Sequence, residues 1–556
     1  MSGAVIENLS NRKLFSILAS LLVAQVLFFA LGAVFSPDPS SSMEFLMSKC
    51  KDKNAGRNDE WFHLRPKKCE FIESLDNFKS VDEHARDIVF VAQMPHARDG
   101  VNLEYSSWFQ FLIGFLEVEI EYRSNVEMAE KIPMEMEIRM AYRKQDDPVD
   151  QWTEFISTSV KRTLECNIDK HRKLEGYTYN CSAIDLFELG SNNYPFYLLN
   201  IRLPVNKTRC RSDPNAPNCA IGPINDLRLI AVHQNGGFTL IWLWLKTVVC
   251  PFVIAATWWY YNRVQALNRP KLLIEKAILA LGCTLIILDL PIEWFSIWFR
   301  IPALLLISDI RQGLFYSILF SFWLIFAGEH LIDDQTRNSL KNYWRNLSFV
   351  GTASLVLLAY DLAERGRQLI DPFFSIWASD RGSFWAKLSI YVAAIAIFCY
   401  FVFLSFRIRQ VWTTITRKRS AQLYAMSKTR RLKVEAIIYR FKFLMILTMV
   451  CAALTITSYL MQQYDEGHMP DDEVFQENGS LVSYASSWFT NSASAFFTGT
   501  FGMWNIYVIL LLSMYAPSHK HYANAHVLED ENEDLMDPSS NTESTSMTTF
   551  FKSSTD

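Results

Sequence analysis

Seven apolar runs of transmembrane length fill the second half of the chain, and they constrain its fold more than any other feature. A helix that crosses the roughly 30 Å hydrocarbon core of a bilayer needs about 20 mostly apolar residues. The runs are Phe238 to Tyr261, Leu272 to Ser296, Ile301 to Gly328, Leu347 to Glu364, Lys387 to Phe406, Phe443 to Leu460 and Ala495 to Tyr515. We therefore predict a seven-helix membrane bundle over residues 238–516.

An eighth apolar run, Leu14 to Phe35, lies near the start of the chain and follows Arg12 and Lys13. Its length of about 20 residues exceeds the 7 to 15 of a signal-peptide core. Ala33-Val34-Phe35 is also a poor cleavage site, because signal peptidase prefers small residues. We predict a retained transmembrane helix at residues 14–35, after a cytosolic N-terminus at residues 1–13.

Residues 36–237 lack a run long enough to span a membrane, and several stretches alternate with the period of a strand. The candidate strands are Ile88 to Val91, Phe115 to Tyr122, Met134 to Met140, Phe196 to Leu203 and Leu227 to Val232. Several short strands between polar turns indicate an antiparallel β-sandwich. The predicted fold class is thus a multi-pass α-helical membrane protein with eight transmembrane helices and a lumenal antiparallel β-sandwich.

The charged loops orient the bundle, because cytosolic loops are enriched in Lys and Arg. Basic residues fill the loop at Arg263 to Lys271 and the loop at Arg407 to Lys433, whereas Gln462 to Asn491 is acidic. With eight crossings, both termini are predicted to be cytosolic and the β-sandwich lumenal. The polar tail at residues 517–556 is predicted to be disordered.

Six cysteines lie in the predicted lumenal segment: Cys50, Cys69, Cys166, Cys181, Cys210 and Cys219. An even number outside the cytosol indicates disulfides. Their spacing favours pairing neighbours, 50 with 69, 166 with 181 and 210 with 219, although six cysteines allow fifteen connectivities. Three sequons on the same side of the membrane predict glycosylation at Asn180, Asn206 and Asn478.

Charged residues lie inside several predicted spans, where a charge costs a few kcal/mol unless it faces a bundle interior or water. Eight such candidates fall toward the lumenal ends of the spans: Lys246, Asp289, Glu293, Asp309, Arg311, Asp361, Glu364 and Arg365. The spacing of Asp289 and Glu293 predicts that they share one helix face, where their like charges repel unless cations or a cavity compensate them. Asp309 and Arg311 are two residues apart, so each is expected to face another helix or water. The group is either a structural ion-pair network or the polar mouth of a lumen-facing cavity.

Aromatic side chains are concentrated in three stretches near the predicted lumenal surface. The first contains Trp108, Phe109 and Phe111, the second Trp294 and Phe295, and the third Phe373, Phe374 and Trp377. For the first stretch the plain interpretation is sandwich core, and for the other two it is an interfacial aromatic belt. A docking surface for a lipid-bearing ligand is the alternative.

Motifs for catalysis or metal binding are missing from the sequence. It contains no HExxH, G-x-S-x-G, Walker A or CxxC motif. We therefore predict a protein that is not an enzyme and that uses no metal or cofactor.

Seven stretches, from the lumenal segment to the last span, resemble the Wntless family, which carries lipid-modified Wnt proteins from the endoplasmic reticulum to the cell surface. They are Ser107 to Phe111, Phe196 to Asn206, His233 to Thr239, Glu293 to Ile297, Asp309 to Gly313, Ala425 to Leu432, and Gly502 to Asn505 with Tyr515 to Lys520. The resemblance implies a lumenal β-sandwich on a bundle similar to that of G-protein-coupled receptors.

The resemblance also implies a function. The chain is expected to be a cargo receptor whose lumen-facing cavity takes the palmitoleoyl chain of Wnt while the sandwich grips the protein part. It is expected to cycle through the endoplasmic reticulum, Golgi, plasma membrane and endosomes. Its implied partners are acylated Wnt proteins, membrane lipids, and the clathrin-adaptor and retromer sorting machinery, with no nucleic acid.

The sequence departs from the family pattern in its sorting signals. Val434 to Ile437 stand where family members carry a Tyr-x-x-Φ endocytic signal, so the tyrosine is missing. The chain ends at Asp556 without the retrieval sequence of vertebrate members, as expected of an invertebrate member. An acidic dileucine-like signal formed by Glu531, Leu535 and Met536 is an alternative, although an ordinary acidic tail is the favoured interpretation of these residues.

Two other functions remain open at the level of the sequence. A seven-helix receptor that couples to G proteins is compatible with the basic third cytosolic loop. An intramembrane acyltransferase would need a catalytic histidine, and none lies in the middle of a predicted span.

Overall fold

The structure is a computed structural model of the chain. It describes residues 5, 11–52, 61–63, 69–72, 88–95, 103–124, 128–168, 173–205, 207–213, 216–267, 270–328, 340–423, 446–451 and 492–517.

The helices of the described chain follow the apolar runs. They are α1 (Asn11–Ala30), continued by a π-helical turn at Leu31–Phe35, α2 (Lys207–Ser212), α3 (Gly236–Gln265), α4 (Leu273–Asp289), α5 (Glu293–Trp298), α6 (Leu304–Gly328), α7 (Trp344–Gln368), α8 (Asp380–Leu423) and α9 (Ser492–Met514). Helices α1, α3, α6, α7, α8 and α9 are long and apolar enough to cross a membrane, and α4 has 17 residues. The predicted multi-pass membrane fold is thereby confirmed. Of the predicted span Phe443 to Leu460, only residues 446–451 are described, and they are helical.

The predicted span Leu272 to Ser296 is divided in two. Helix α4 ends at Asp289, and α5 begins at Glu293. Pro291 lies between them and has no N–H to continue the hydrogen-bond ladder of α4. The prediction that Asp289 and Glu293 share one helix face is therefore wrong, because the two carboxylates belong to different helices.

The described strands between residues 40 and 234 form two antiparallel sheets. The strands are β1 (Ser40–Leu46), β2 (Ser48–Lys51), β3 (Glu70–Phe71), β4 (Ile88–Met94), β5 (Leu112–Ile120), β6 (Lys131–Arg143), β7 (Thr153–Asn167), β8 (Asn180–Cys181), β9 (Ile184–Leu189), β10 (Phe196–Arg202) and β11 (Ile224–Gln234). One sheet has the order β1-β11-β5-β9, and the other has the order β3-β2-β4-β10-β6-β7-β8. Their alternating apolar side chains meet in one core, so the predicted β-sandwich is confirmed.

Three disulfides close short loops of the sandwich. Cys50 is joined to Cys69, Cys166 to Cys181, and Cys210 to Cys219. These are the neighbouring pairs that the spacing favours. The second bond links β7 to β8 at positions that face each other in the sheet register.

In the bundle, α1 packs on α9, α9 on α3 and α4, α4 on α6, α6 on α7, and α7 on α8. The core between these helices is built from large buried side chains such as Tyr260, Phe315 and Tyr507. Strand β11 ends at Gln234, directly before α3 begins at Gly236. The sandwich therefore stands on one end of the bundle, which is called the sandwich end below.

Candidate functional site

A buried ion-pair cluster lies at the sandwich end of the bundle. One carboxylate oxygen, Glu293 Oε1, accepts a hydrogen bond from Lys246 Nζ at 2.7 Å and another from Arg311 Nη2 at 2.8 Å. The three residues come from α5, α3 and α6 and are 9%, 4% and 6% exposed. The cluster thus joins three helices through charges that are almost fully removed from solvent.

The break after α4 creates part of this cluster. Because Pro291 has no N–H, the carbonyl of Ile287, four residues earlier, is left without its usual helical donor. Arg311 Nη1 donates to that carbonyl at 3.4 Å and to the carbonyl of Leu290 at 2.8 Å. The proline therefore supplies two backbone acceptors as well as a new helix start for Glu293.

Asp289 adds a second carboxylate beside the cluster. It is 0% exposed, and neither of its oxygens makes a hydrogen bond of normal geometry to a described residue. The charges of Lys246 and Arg311 act on it, so two carboxylates are balanced by two cations. The buried atoms without such a partner also include four others of the bundle, namely Glu293 Oε2, Arg311 Nε, Trp504 Nε1 and Asn505 Oδ1. Buried polar atoms of this kind normally form hydrogen bonds with ordered water or a ligand.

A second charged group links the sandwich to the bundle. Arg365 of α7 pairs with Glu188 of β9, and its Nε lies 3.2 Å from Asp309 Oδ2 of α6. Arg365 and Asp309 keep 30% and 31% of their side chains exposed, so this group is open where the first is closed. Asp361 lies one helical turn before Arg365 and acts electrostatically on Asp309.

Glu364 has a local structural role. Its Oε2 accepts a hydrogen bond from the backbone N–H of Ile376 at 2.8 Å, and its Oε1 accepts one from Gln368 Nε2 at 3.3 Å. It therefore fixes the turn between α7 and α8. Its predicted place at the mouth of a cavity stays a prediction.

The first two aromatic stretches meet at the junction of sandwich and bundle. Trp108 packs edge-on against Trp294 with ring centroids 6.1 Å apart, and Trp294 Nε1 donates to Thr247 Oγ1 at 2.9 Å. Ser296 Oγ donates to Gln110 Oε1 at 3.0 Å. These contacts attach the segment before β5 to α5 and α3.

The neighbouring aromatics divide between core and surface. Phe109 packs edge-on against His233 at 4.7 Å, and Tyr105 packs on both rings, which closes the floor of the sandwich. Burial lowers the pKa of His233 there. Phe111 is half-buried, whereas Phe295 is exposed on α5.

The third aromatic stretch anchors the α7–α8 loop. Phe373 is 1% exposed and packs on Phe187 at 5.7 Å inside the sandwich core, so neither the interfacial belt nor an open docking surface describes it. Arg162 Nη2 donates to the carbonyl of Phe373 at 2.6 Å. Phe374 lies under the guanidinium of Arg367, and Trp377 is exposed with its Nε1 donating to the Tyr360 hydroxyl.

Two important residues escaped the sequence analysis, namely Glu188 and Arg162. Both lie in the sandwich and reach the bundle or its loop, so neither carries the signal of a charge in an apolar span. Arg162 Nε also donates to the carbonyl of Asp185 at 2.8 Å. Burial lowers the pKa of Arg162 and raises that of Asp185. Their role depends on how the strands of the sandwich are placed against α7 and its loop. The sequence alone does not supply that placement.

The predicted modification and sorting residues are only partly described. Asn180 is exposed on β8, where a glycan has room. Outside the described residues lie Asn206, Asn478, Glu531, Leu535 and Met536. Within the described chain, no group of three or more His, Cys, Asp or Glu residues is placed to hold a metal ion.

The chain is similar to one family over nearly its whole length. Residues 48–234 match the family model described as Wntless, GOLD domain, and residues 235–519 match Wntless-like, transmembrane domain. The protein wntless homolog of Caenorhabditis elegans is 56% identical over 558 residues, which cover 100% of both chains. The human protein wntless homolog is 40% identical over 526 residues, which cover 94% of this chain and 92% of the human one. Protein wntless homolog A of Xenopus laevis is 40% identical over 530 residues, which cover 94% and 93%.

Proposed function

This chain belongs to the Wntless family, and on that premise we propose that it is a cargo receptor for palmitoleoylated Wnt proteins. The observation that carries the proposal is the half-open group of Asp309 and Arg365 directly below the sandwich. Charged side chains within transmembrane helices normally face the bundle interior or a water-filled cavity. Asp309 and Arg365 thus give the bundle a polar rim through which an acylated segment passes from the lumen.

The two charged groups have different roles in this proposal. The cluster of Lys246, Glu293 and Arg311 is closed and holds the helices together. The Asp309–Arg365 group is exposed enough to be rearranged by a ligand. The acyl chain therefore passes beside Asp309, between α6 and α7, and leaves the buried cluster intact.

Burial of the acyl chain supplies most of the affinity. Sixteen carbons at ~0.8 kcal/mol per CH₂ give around ten kcal/mol before the costs of association. An apolar chain in hydrocarbon needs no polar partners, so the side chains of the rim position the protein segment that carries it.

The receptor binds its cargo in the endoplasmic reticulum, passes through the Golgi to the cell surface and returns through endosomes. Both termini and the basic loops face the cytosol in this proposal, where clathrin adaptors and retromer read them. The asymmetry of basic and acidic loops supports that orientation. The disulfides of the sandwich support a lumenal location for this domain.

Co-purification of Wnt with the full-length receptor tests the proposal. Acylated Wnt is expected to bind at least tenfold more tightly than the same Wnt with its acyl-acceptor serine replaced by alanine. Asp309→Asn is expected to reduce Wnt secretion at unchanged surface levels of the receptor. Equal binding of acylated and unacylated Wnt would exclude an acyl-binding cavity.

A control separates this function from that of a signalling receptor. Nucleotide exchange on a panel of purified heterotrimeric G proteins is measured with and without acylated Wnt. The cargo-receptor proposal expects no stimulation. Wnt-dependent exchange would support a seven-helix signalling receptor instead.

A further inference from the structure

The turn between α3 and α4 is basic and lies at the end of the bundle opposite the sandwich. Residues 258–276 contain one carboxylate, that of Glu275, and four basic side chains, namely Arg263, Arg269, Lys271 and Lys276. Glu275 is 6% exposed, and its Oε2 accepts a hydrogen bond from the Leu272 N–H at 2.9 Å. One buried carboxylate balances at most one of the four cations, so the turn keeps a net positive charge.

Two lysines occupy neighbouring positions where α4 begins. Leu272 is the N-cap residue, so Lys271 directly precedes the cap and Lys276 is the fourth residue after it. Side chains at these two positions lie side by side, and in many helices both are apolar and pack on each other. Here Lys271 is half-buried, Lys276 is exposed, and neither makes an ion pair with a described residue. Adjacent like charges repel, and an anion bound between them would remove that repulsion.

Aromatic rings of α3 place these lysines at the membrane boundary. Lys271 Nζ lies 5.7 Å from the centroid of the Tyr261 ring, and the Trp258 ring lies 6.0 Å from that of Tyr261. Trp258 is 64% exposed and Tyr261 is 37% exposed. Both rings stand at the end of the apolar run Phe238 to Tyr261, and the next run begins at Leu272. Trp and Tyr at the ends of membrane helices lie at the level of the lipid headgroups, so the two ammonium groups lie there too.

The position and chemistry of this surface favour a lipid as its occupant. In the proposed orientation this end of the bundle faces the cytosol, and the cytosolic leaflet carries anionic lipids. The phosphate of such a lipid would meet the two ammonium groups, while its acyl chains would cover the exposed ring of Trp258. The acidic stretch Glu529 to Asp534 of the chain carries five carboxylates but no apolar side chain, so it would leave that ring uncovered.

We propose that Trp258, Tyr261, Lys271 and Lys276, called the α3–α4 lipid site below, bind the headgroup of an anionic phospholipid. Arg263 is not part of the site, because it lies over Trp259 and donates to the carbonyl of Pro517, which joins α3 to the end of α9. The inference goes beyond cargo binding and uses only the membrane orientation given in the proposed function. Through this site the receptor interacts more strongly with membranes whose cytosolic leaflet is rich in anionic lipid.

Native mass spectrometry of the full-length receptor, titrated with lipid in detergent, tests the site by measuring how much of each lipid is bound. The probes are phosphatidylserine, phosphatidylinositol 4-phosphate and phosphatidylcholine. Both anionic lipids are expected to bind more tightly than phosphatidylcholine, and a preference between them distinguishes a phosphate monoester from simple negative charge. Lys271→Gln and Lys276→Gln should each weaken anionic binding about fivefold, and the double variant about twentyfold, because each lysine near an anionic surface contributes a similar increment.

A matched control lies at the same end of the bundle. Lys341 is exposed in the short 3₁₀ turn Leu340–Asn342 that precedes α7. Lys341→Gln makes the same chemical change and the same change of net charge outside the α3–α4 lipid site, and it is expected to leave all three affinities unchanged. Melting temperatures no lower than that of the wild type establish that each variant is folded.

Three results would overturn the site. The first is wild-type affinity of the double variant for both anionic lipids. The second is equal weakening by Lys341→Gln, because net charge rather than this surface would then control binding. The third comes from a variant in which the five carboxylates of residues 529–534 are replaced by their amides: lipid binding seen only in that variant would identify the acidic stretch as the occupant. Failure of the wild-type receptor to bind Wnt would refute the cargo receptor and leave the lipid site standing.

Discussion

At the scale of the residue, Pro291 and Glu293 determine the most buried chemistry of the molecule. The proline ends α4 and frees the Ile287 carbonyl, and Glu293 then begins α5 facing two cations. The sequence identified Lys246, Glu293 and Arg311 because charges in apolar spans are costly. Their pairing depends on a break between two helices inside one apolar run, and hydropathy does not reveal where a helix is broken.

Replacement of Glu293 by glutamine is expected to destabilise the bundle. Lys246 and Arg311 would remain buried without their shared counter-charge, and removal of one partner from a buried ion pair costs about 3–5 kcal/mol. A lower melting temperature of the purified receptor and lower steady-state levels in cells measure this loss. Glu137→Gln, at an exposed strand position, is the control, and equal melting temperatures of both variants would contradict a stabilising role of the cluster.

The sandwich is expected to lose stability in acid through His233. Burial lowers the pKa of His233, so the folded state favours the neutral ring, whereas the unfolded state protonates near pH 6.5. The stabilisation is fully present above about pH 6.5 and is lost as the pH falls through the lowered pKa of the folded state. Urea unfolding between pH 7.5 and 5 measures it.

The variant His233→Phe provides the comparison for that experiment, because it keeps a ring against Tyr105 and Phe109 and removes the titration. Its free energy of unfolding is expected to fall less steeply below pH 6.5. Parallel pH profiles of the variant and the wild type would show that other groups control the acid response.

At the scale of the element, the periodicity of the sequence located the described helices and the principal strands well. Helix α8 is the largest departure, because the apolar run Lys387 to Phe406 lies inside a helix that extends from Asp380 to Leu423. Hydropathy measures where a helix meets lipid, while backbone hydrogen bonds continue beyond that boundary. Small strands such as β3 and β8 have two residues each and depend on their neighbours and disulfides.

The contact between α1 and α9 depends on glycines. A Cβ placed on Gly502 would lie 2.3 Å from Phe28 Cγ, so Gly502→Ala is expected to push the helices apart. Overpacking of this kind costs about 1–3 kcal/mol and should lower the melting temperature. Gly351→Ala on α7 is the control, because no atom lies within 4 Å of the added methyl group. A larger loss for Gly351→Ala than for Gly502→Ala would contradict close packing of α1 on α9.

At the scale of the whole molecule, the sequence predicted the sandwich, the membrane bundle and the family, and all three are confirmed. The junction between the domains was beyond its reach. Glu188 and Arg162 are ordinary polar residues of strands, and they acquire a role only when β9 and β7 are set beside α7 and its loop. The sequence predicts that Phe373 belongs to an aromatic surface, but it lies in the sandwich core, where Arg162 donates to its carbonyl. Side-chain type was predictable, whereas partners across domains were not.

The burial of Phe373 in the sandwich makes the α7–α8 loop a pivot. Helix α7 has 25 residues, each adding about 1.5 Å, so its far end lies well over 30 Å from that fixed point. A small tilt about the pivot moves the sandwich end little and the far end much. Such a tilt would therefore widen the space between α6 and α7 progressively with distance from the fixed end. Rotation of the sandwich would set the tilt of α7. Under the proposed function, cargo bound above the membrane would therefore change the width of the space between α6 and α7 within it.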